Sequence, residues 1–308
     1  MAPIVIGTTV GGRTSGAALV DARAKEAAGY SAIWFTGGSG PDPVGLAVAA
    51  AAQLTRARIG TAIASLWSMS PVTMALQGQV AAQLSGSRFR LGIGVASPQG
   101  AARYGATYAR PLAHLREYVT IIRTLLTQGE VDFTGHHYRV TARLAEPTPM
   151  PVMVAALGER AFTLAGEVAD GAISWVTPAA YLRDVARPAL ERGAARAGRP
   201  APPIIAHVPV AVTTDRQRVR EAFRQQFSFY VRAPHYQAMF VAAGFPEARA
   251  GSWSDAMIDA LVLSGSEAEV EHQLEEVAAI AQGELFVSPL AGVETERTIS
   301  LLTRLAAA

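Results

Sequence analysis

Short apolar runs alternate with helix-patterned stretches along most of the chain. Residues 4–8, 31–35, 58–64, 89–95, 152–156, 172–176, 204–212 and 285–287 are rich in Val, Ile, Leu, Ala and Phe and are bounded by Gly, Pro, Asp or Ser, so they read as buried strands. Between them, apolar positions recur at helical spacing. One helix runs through Leu19 and Ala28 and is closed by Gly29; others cover 44–54, 110–127, 161–169, 178–197, 267–281 and 295–307. A further helix starts at Pro71, where a missing N–H is no loss, and ends at the Ser85-Gly86-Ser87 turn. In it Val72, Leu76, Val80 and Leu84 form the predicted buried stripe, widened by Met74, Ala75 and Ala81.

Strand–helix alternation at this spacing argues for parallel βαβ units, each crossover helix covering one face of the sheet. Eight strand candidates point to a (β/α)8 TIM barrel, although periodicity alone also accommodates a doubly wound open sheet. Two segments interrupt the alternation. Residues 131–133 and 138–140 flank Thr134-Gly135-His136-His137 and read as an inserted β-hairpin. Residues 217–243 form a helical stretch longer than a crossover needs, broken near Pro234, and read as an insertion before the eighth strand that closes over the barrel mouth or supports a dimer.

Size and charge narrow the classes. A chain of 308 residues fits one domain spanning 1–308, since single α/β barrels run to about 250 residues or more. Half the residues are hydrophobic and 17% are charged, which suits a large buried core. A net charge of +2 without basic runs gives no footprint for nucleic acid. The absence of cysteine excludes disulfides, thiolate metal sites and a Cys nucleophile. No secretory pattern opens the chain and no apolar run is long enough for a bilayer, so a soluble cytoplasmic protein is expected.

The sequence contains no H-E-x-x-H, no Walker loop and no G-x-S-x-G elbow. His136-His137 is the one histidine pair; adjacent side chains diverge, so an exposed turn is favoured over a metal site, and no metal is expected. Chemistry borrowed from a bound cofactor is the remaining route. Gly92-Ile93-Gly94 lacks the third glycine of a dinucleotide fingerprint, and the glycines serve either close packing in the barrel or close approach of a ligand. Ala155-Ala156-Leu157-Gly158-Glu159-Arg160 opens a helix after the fifth strand, where bare amides attract anions.

LSGSRFRLGIGVASP, with Tyr104-Gly105, Pro111, Leu115-Arg116-Glu117-Tyr118 and PVMVAALGERAFTLAGEVADGAI, resembles the bacterial-luciferase-like superfamily of flavin- and deazaflavin-dependent oxidoreductases. Within it the chain is most similar to the branch that uses coenzyme F420, a deazaflavin, which includes methylenetetrahydromethanopterin reductase. The resemblance implies an F420-dependent oxidoreductase that moves a hydride between C5 of the cofactor and a small organic substrate. The alternative is a reduced-FMN-dependent monooxygenase supplied by a partner flavin reductase; a non-catalytic cofactor binder is the third class. A homodimer is the implied assembly. The implied cofactor contacts are Ala62, Ile63 and Ala64, where the family has a non-proline cis peptide at 62–63; Val95, Ala96 and Ser97; and Ala155, Ala156, Leu157, Gly158 and Glu159 around the phosphate. Thr36 and Ser97 are the proton-relay candidates. Phe35, Trp67, Tyr104 and Trp175 are expected to wall the substrate pocket, with His114 and Arg116 as lesser candidates. Asp170 is read as capping a chain reversal. Ser70 stands where the family often has histidine, so no catalytic histidine is carried over.

Overall fold

The computed structural model describes residues 4–38 and 40–307. Eight parallel strands follow one another around a closed barrel: β1 (Val5–Thr9), β2 (Ala32–Phe35), β3 (Arg58–Thr61), β4 (Phe89–Gly94), β5 (Val152–Ala155), β6 (Gly171–Ser174), β7 (Ile204–Ala211) and β8 (Glu284–Pro289). Closure comes from β8, which pairs with β1 through Leu285 beside Ile6 and with β7 through Leu285 beside Ala206. A strand bonded on both sides has no free edge, and this excludes the open sheet.

The outer layer consists of α1 (Ser15–Ala27), α2 (Pro43–Ala51), α3 (Pro71–Leu84), α4 (Pro111–Gln128), α5 (Glu159–Val168), α6 (Arg187–Arg196), α7 (Glu267–Ala281) and α8 (Thr295–Ala306). Local chemistry starts several of them. Asp42 accepts from Gly45 N–H, Ser70 accepts from Thr73 N–H at 3.1 Å, and Ser266 with Glu269 forms a capping box. Before α6 the chain widens into a π turn at Leu182–Ala186. Pro188 follows; it has no N–H for the ladder, and its ring crowds the carbonyl four residues back. No helix among the described residues is long and apolar enough to cross a membrane.

The two predicted insertions are present. Glu130–Thr134 and Arg139–Arg143 pair antiparallel as a hairpin between α4 and β5. Between β7 and β8 lie Arg216–Gln226, a 3₁₀ turn at Tyr230–Arg232, and Pro234–Ala242; the helix breaks ahead of Pro234.

The stripe predicted for α3 is corrected. Leu76, Val80 and Leu84 are 44%, 41% and 51% exposed, whereas Met74, Ala75, Gly78, Ala81 and Ala82 face inward. The helix lies close to the barrel, and apart from Met74 its inward side chains are small, Gly78 meeting Met150 and Leu91.

The barrel interior is solid. Trp34, fully buried, stacks on Phe286 at 5.9 Å, and its indole N–H donates to Glu284. Glu284 also pairs with the buried Arg90 at 2.7 Å, and the Arg90 guanidinium lies 4.4 Å from the centre of the Trp34 ring. Room for the indole comes from Gly60, where an added Cβ would fall 2.3 Å from the ring. Gly60→Ala is expected to cost about 1–3 kcal/mol through overpacking. In urea unfolding, combining it with Trp34→Leu should be strongly non-additive; additive losses would mean the ring is free to move aside.

Candidate active site

The C-terminal ends of the strands carry the loops in which a barrel assembles its site. Three of the predicted segments meet there. The Ala62–Ile63 peptide bond is cis, where the resemblance places it. A Cβ added to Gly94 would fall 2.9 Å from Ala155 Cβ and 2.9 Å from Ile63 Cδ1, so β3, β4 and β5 converge on a position that tolerates no side chain. Ala62, Ile63, Val95, Ala155 and Leu157 are half-buried around it. Beside them α5 begins at Gly158 with no side-chain cap, and a Cβ on Gly158 would meet nothing within 4 Å. Such an uncapped, open helix start offers amides to an anion. The Ala156 N–H is not among them, because it donates to Ile173 O at 2.9 Å.

Aromatic residues form the opposite side. Trp175, half-buried, stacks on His207 at 3.7 Å and meets Phe286 edge-on at 5.2 Å. From the insertion, Phe227 lies 5.7 Å from His207 and Tyr230 lies 6.3 Å from Trp175, so this segment packs onto the floor of the mouth. His207 accepts from Val176 N–H through Nδ1 at 3.3 Å, and its Nε2 lies 3.0 Å from Ser288 Oγ. Burial pushes its pKa down to about 3, so the imidazole is neutral. Val176 itself sits at φ +50°, a left-handed conformation costing a β-branched residue about 1–3 kcal/mol, and Ala96 sits at φ +51°. Each outlier lies two residues beyond the end of a barrel strand.

His207, Ser288 and Val176 were not anticipated from the sequence. The signal for His207 was available: it is a lone polar side chain at the inward parity of an apolar strand, in step with Ile205.

The remaining predicted residues scatter. Phe35 is fully buried between barrel and helices and does not face the mouth; the β2 alternation points Trp34 inward instead. Thr36, the next residue, is half-buried at the strand end. Ala64 is buried and pairs with Ile93. Ser97 caps the short helix Pro98–Arg103, accepting from Gly100 N–H at 3.1 Å, which leaves its hydroxyl proton free. Glu159 is exposed and pairs with Arg192 at 2.5 Å. Trp67 donates to Val95 O at 2.7 Å, but its ring packs on Tyr108 and His114, toward the hairpin. Tyr104 is 45% exposed, and Arg116 pairs with Glu167. Asp170 lies at the other end of the barrel, accepting from Val152 N–H, Arg123 and Arg199, a structural role as read.

The histidine pair is more than an exposed turn. His137 stacks on His114 at 4.3 Å, and Glu117 accepts the N–H groups of His136, His137 and Tyr138 at 2.8, 2.8 and 3.0 Å. Burial alone would raise the Glu117 pKa, yet those three bonds hold it below the usual carboxylate value. Burial, helped by the charge of His137, lowers that of His114. Among the described residues no group of three or more His, Asp or Glu side chains could hold a metal ion. A cavity of about 910 Å³ opens at the N-terminal end, lined by Arg58, Arg88, Arg90 and Asp170 among others. Arg88 is already committed there to the carbonyls of Ala57 and Leu54, and Asp170 to Val152, Arg123 and Arg199; the cavity lies away from the loops just described.

Residues 4–282 match the family model described as luciferase-like monooxygenase. The chain belongs to the luciferase-like monooxygenase family. Among relatives, it is 26% identical over 270 residues, 80% of each chain, to 5,10-methylenetetrahydromethanopterin reductase of Archaeoglobus fulgidus. It is 32% identical over 173 residues, 54% of this chain and 47% of the other, to F420-dependent glucose-6-phosphate dehydrogenase of Nakamurella multipartita. Its fold superposes on that of an F420-dependent secondary alcohol dehydrogenase solved with an F420-acetone adduct, with a TM-score of 0.79 at 17% identity over all of both chains. A luciferase-like barrel with an apolar, half-exposed rim and an uncapped helix start fits a flat ring with an anionic tail.

The neutral state of His207 has a consequence for stability. In the unfolded chain a histidine titrates near about 6.5, whereas in the fold it binds a proton only near pH 3. Between those values the unfolded state takes up a proton that the native state does not. The contribution is therefore complete above pH 6.5 and is lost progressively as pH falls toward 3. In His207→Gln the drop in urea-unfolding free energy between pH 7 and pH 5 should be smaller than in the parent; equal drops would mean a protonated His207 in the fold.

Proposed function

We propose that the protein is an F420-dependent oxidoreductase that transfers a hydride between the deazaflavin and a small organic substrate. The observation that carries this reading is the convergence of Ile63, Gly94 and Ala155 beside the open start of α5, in a family whose relatives include F420-dependent dehydrogenases. When bound, the deazaflavin supplies the carbon centre that gives or takes the hydride.

The chain supplies the remaining functions. The amides at Gly158 and Glu159 hold the phosphate, and their helix dipole favours its charge. Ala62 and Ile63 wall one face of the ring, and the Val95-Ala96-Ser97 turn borders its edge. Ser97 and Thr36 offer hydroxyls to the mouth. Phe227 and Tyr230 restrict water above Trp175 and His207, which strengthens every polar contact beneath them. The homodimer implied by the resemblance would have the apolar outer face of α3 available, Leu76, Val80 and Leu84.

Titration with F420 and with FMN, followed by fluorescence quenching and by protection against heat, tests the reading. F420 is expected to bind, and FMN to bind on the order of ten-fold more weakly, a difference of about 1.4 kcal/mol. Gly158→Asp, which sets a carboxylate against the phosphate, should weaken F420 by a similar factor. FMN bound in preference to F420 would instead support the monooxygenase with a partner reductase.

A further inference from the structure

The floor of the mouth has a fixed hydrogen-bond polarity. Val176 N–H can only donate, so Nδ1 of His207 accepts; in a neutral ring the proton then sits on Nε2. Nε2 lies 3.0 Å from Oγ of Ser288, which therefore accepts from it. The hydroxyl proton of Ser288 is left over, and Oγ makes no other hydrogen bond among the described residues. Ser288 is half-buried near the C-terminal end of β8, at the same parity as Glu284 and Phe286, which point into the barrel. Its side chain thus faces the barrel interior near the mouth with one proton uncommitted.

We propose that Ser288 is a specificity-determining residue that donates a hydrogen bond to a carbonyl oxygen held at the mouth, and that His207 is the positioning residue that forbids the reverse polarity. The left-handed backbone at Val176 belongs to the same device, because it aims the N–H that fixes the imidazole. Because His207 cannot take the Ser288 proton, that proton is left for a ligand acceptor such as the oxygen of a ketone or aldehyde. The carbonyl belongs either to the substrate or to the deazaflavin ring. The proposal rests on the oxidoreductase reading for its reaction but not for its polarity.

The test uses the full chain. In cofactor-free protein, nitrogen-15 NMR should place a slowly exchanging proton on Nε2 of His207; a proton on Nδ1 overturns the proposal. F420 and, separately, cyclohexanone as probe ketone are then titrated. If the ring carbonyl is the partner, Ser288→Ala weakens F420 about three- to ten-fold, the worth of one neutral hydrogen bond. If a substrate carbonyl is the partner, F420 affinity holds and the red shift of the bound cyclohexanone carbonyl stretch disappears. His207→Gln, whose amide can accept from Val176 and donate to Ser288, keeps the parent's signal, whereas His207→Leu loses it. A Ser288→Ala chain indistinguishable from the parent in both titrations overturns the proposal. Failure of the parent to bind F420 counts against the oxidoreductase reading alone, because the NMR and ketone arms need no cofactor.

Discussion

A column of flat groups rises through the centre of the barrel, and the site stands on it. The Arg90 guanidinium lies 4.4 Å from the centre of the Trp34 ring; Trp34 stacks on Phe286 at 5.9 Å; Phe286 supports Trp175 edge-on at 5.2 Å; Trp175 stacks on His207 at 3.7 Å. Each ring is held in place by the one below. The lowest member is held by charge, since Glu284 engages both Arg90 and the Trp34 indole. Removing either ion would strand its largely buried partner without a counter-charge, a larger loss than the pair's own net gain. The column makes the barrel a filled cylinder whose mouth has a rigid, aromatic floor.

Much of this architecture could be read directly from the residues. Strands covered on both faces are mostly apolar, so all eight stand out as runs. That same uniformity hides orientation, and nothing in Ala32-Ile33-Trp34-Phe35 says that Trp34 rather than Phe35 turns inward. On α3 the large side chains drew attention away from the small ones, yet close seating on the barrel selects Ala and Gly. The cis peptide at Ala62–Ile63 came from family resemblance, as no property of two apolar residues marks it. The His207–Ser288 pair is separated by 81 residues, because the helical insertion lies between β7 and β8, and no spacing rule carries across it.

The two ends of the cylinder differ in kind. At the C-terminal end, half-exposed apolar groups and strained backbone meet an insertion that folds back over them. At the N-terminal end, arginines and Asp170 are consumed in holding loops and strand starts together. Arg88, Arg123 and Asp170 spend their hydrogen-bonding capacity there on the chain's own backbone and ion pairs, while at the mouth Ser288, Ser97 and the start of α5 retain capacity for a ligand. That asymmetry, more than cavity size, separates a site from a scaffold.

The Glu117 clasp on the hairpin sets a limit on how this family member can diverge. Two carboxylate oxygens serve three consecutive amides, an arrangement with no slack for an added or deleted turn residue. Drift in the hairpin is thereby channelled into its exposed strand positions, where Glu130, Asp132, Arg139 and Arg143 already face solvent, while the length of the turn is locked to a helix built earlier in the chain.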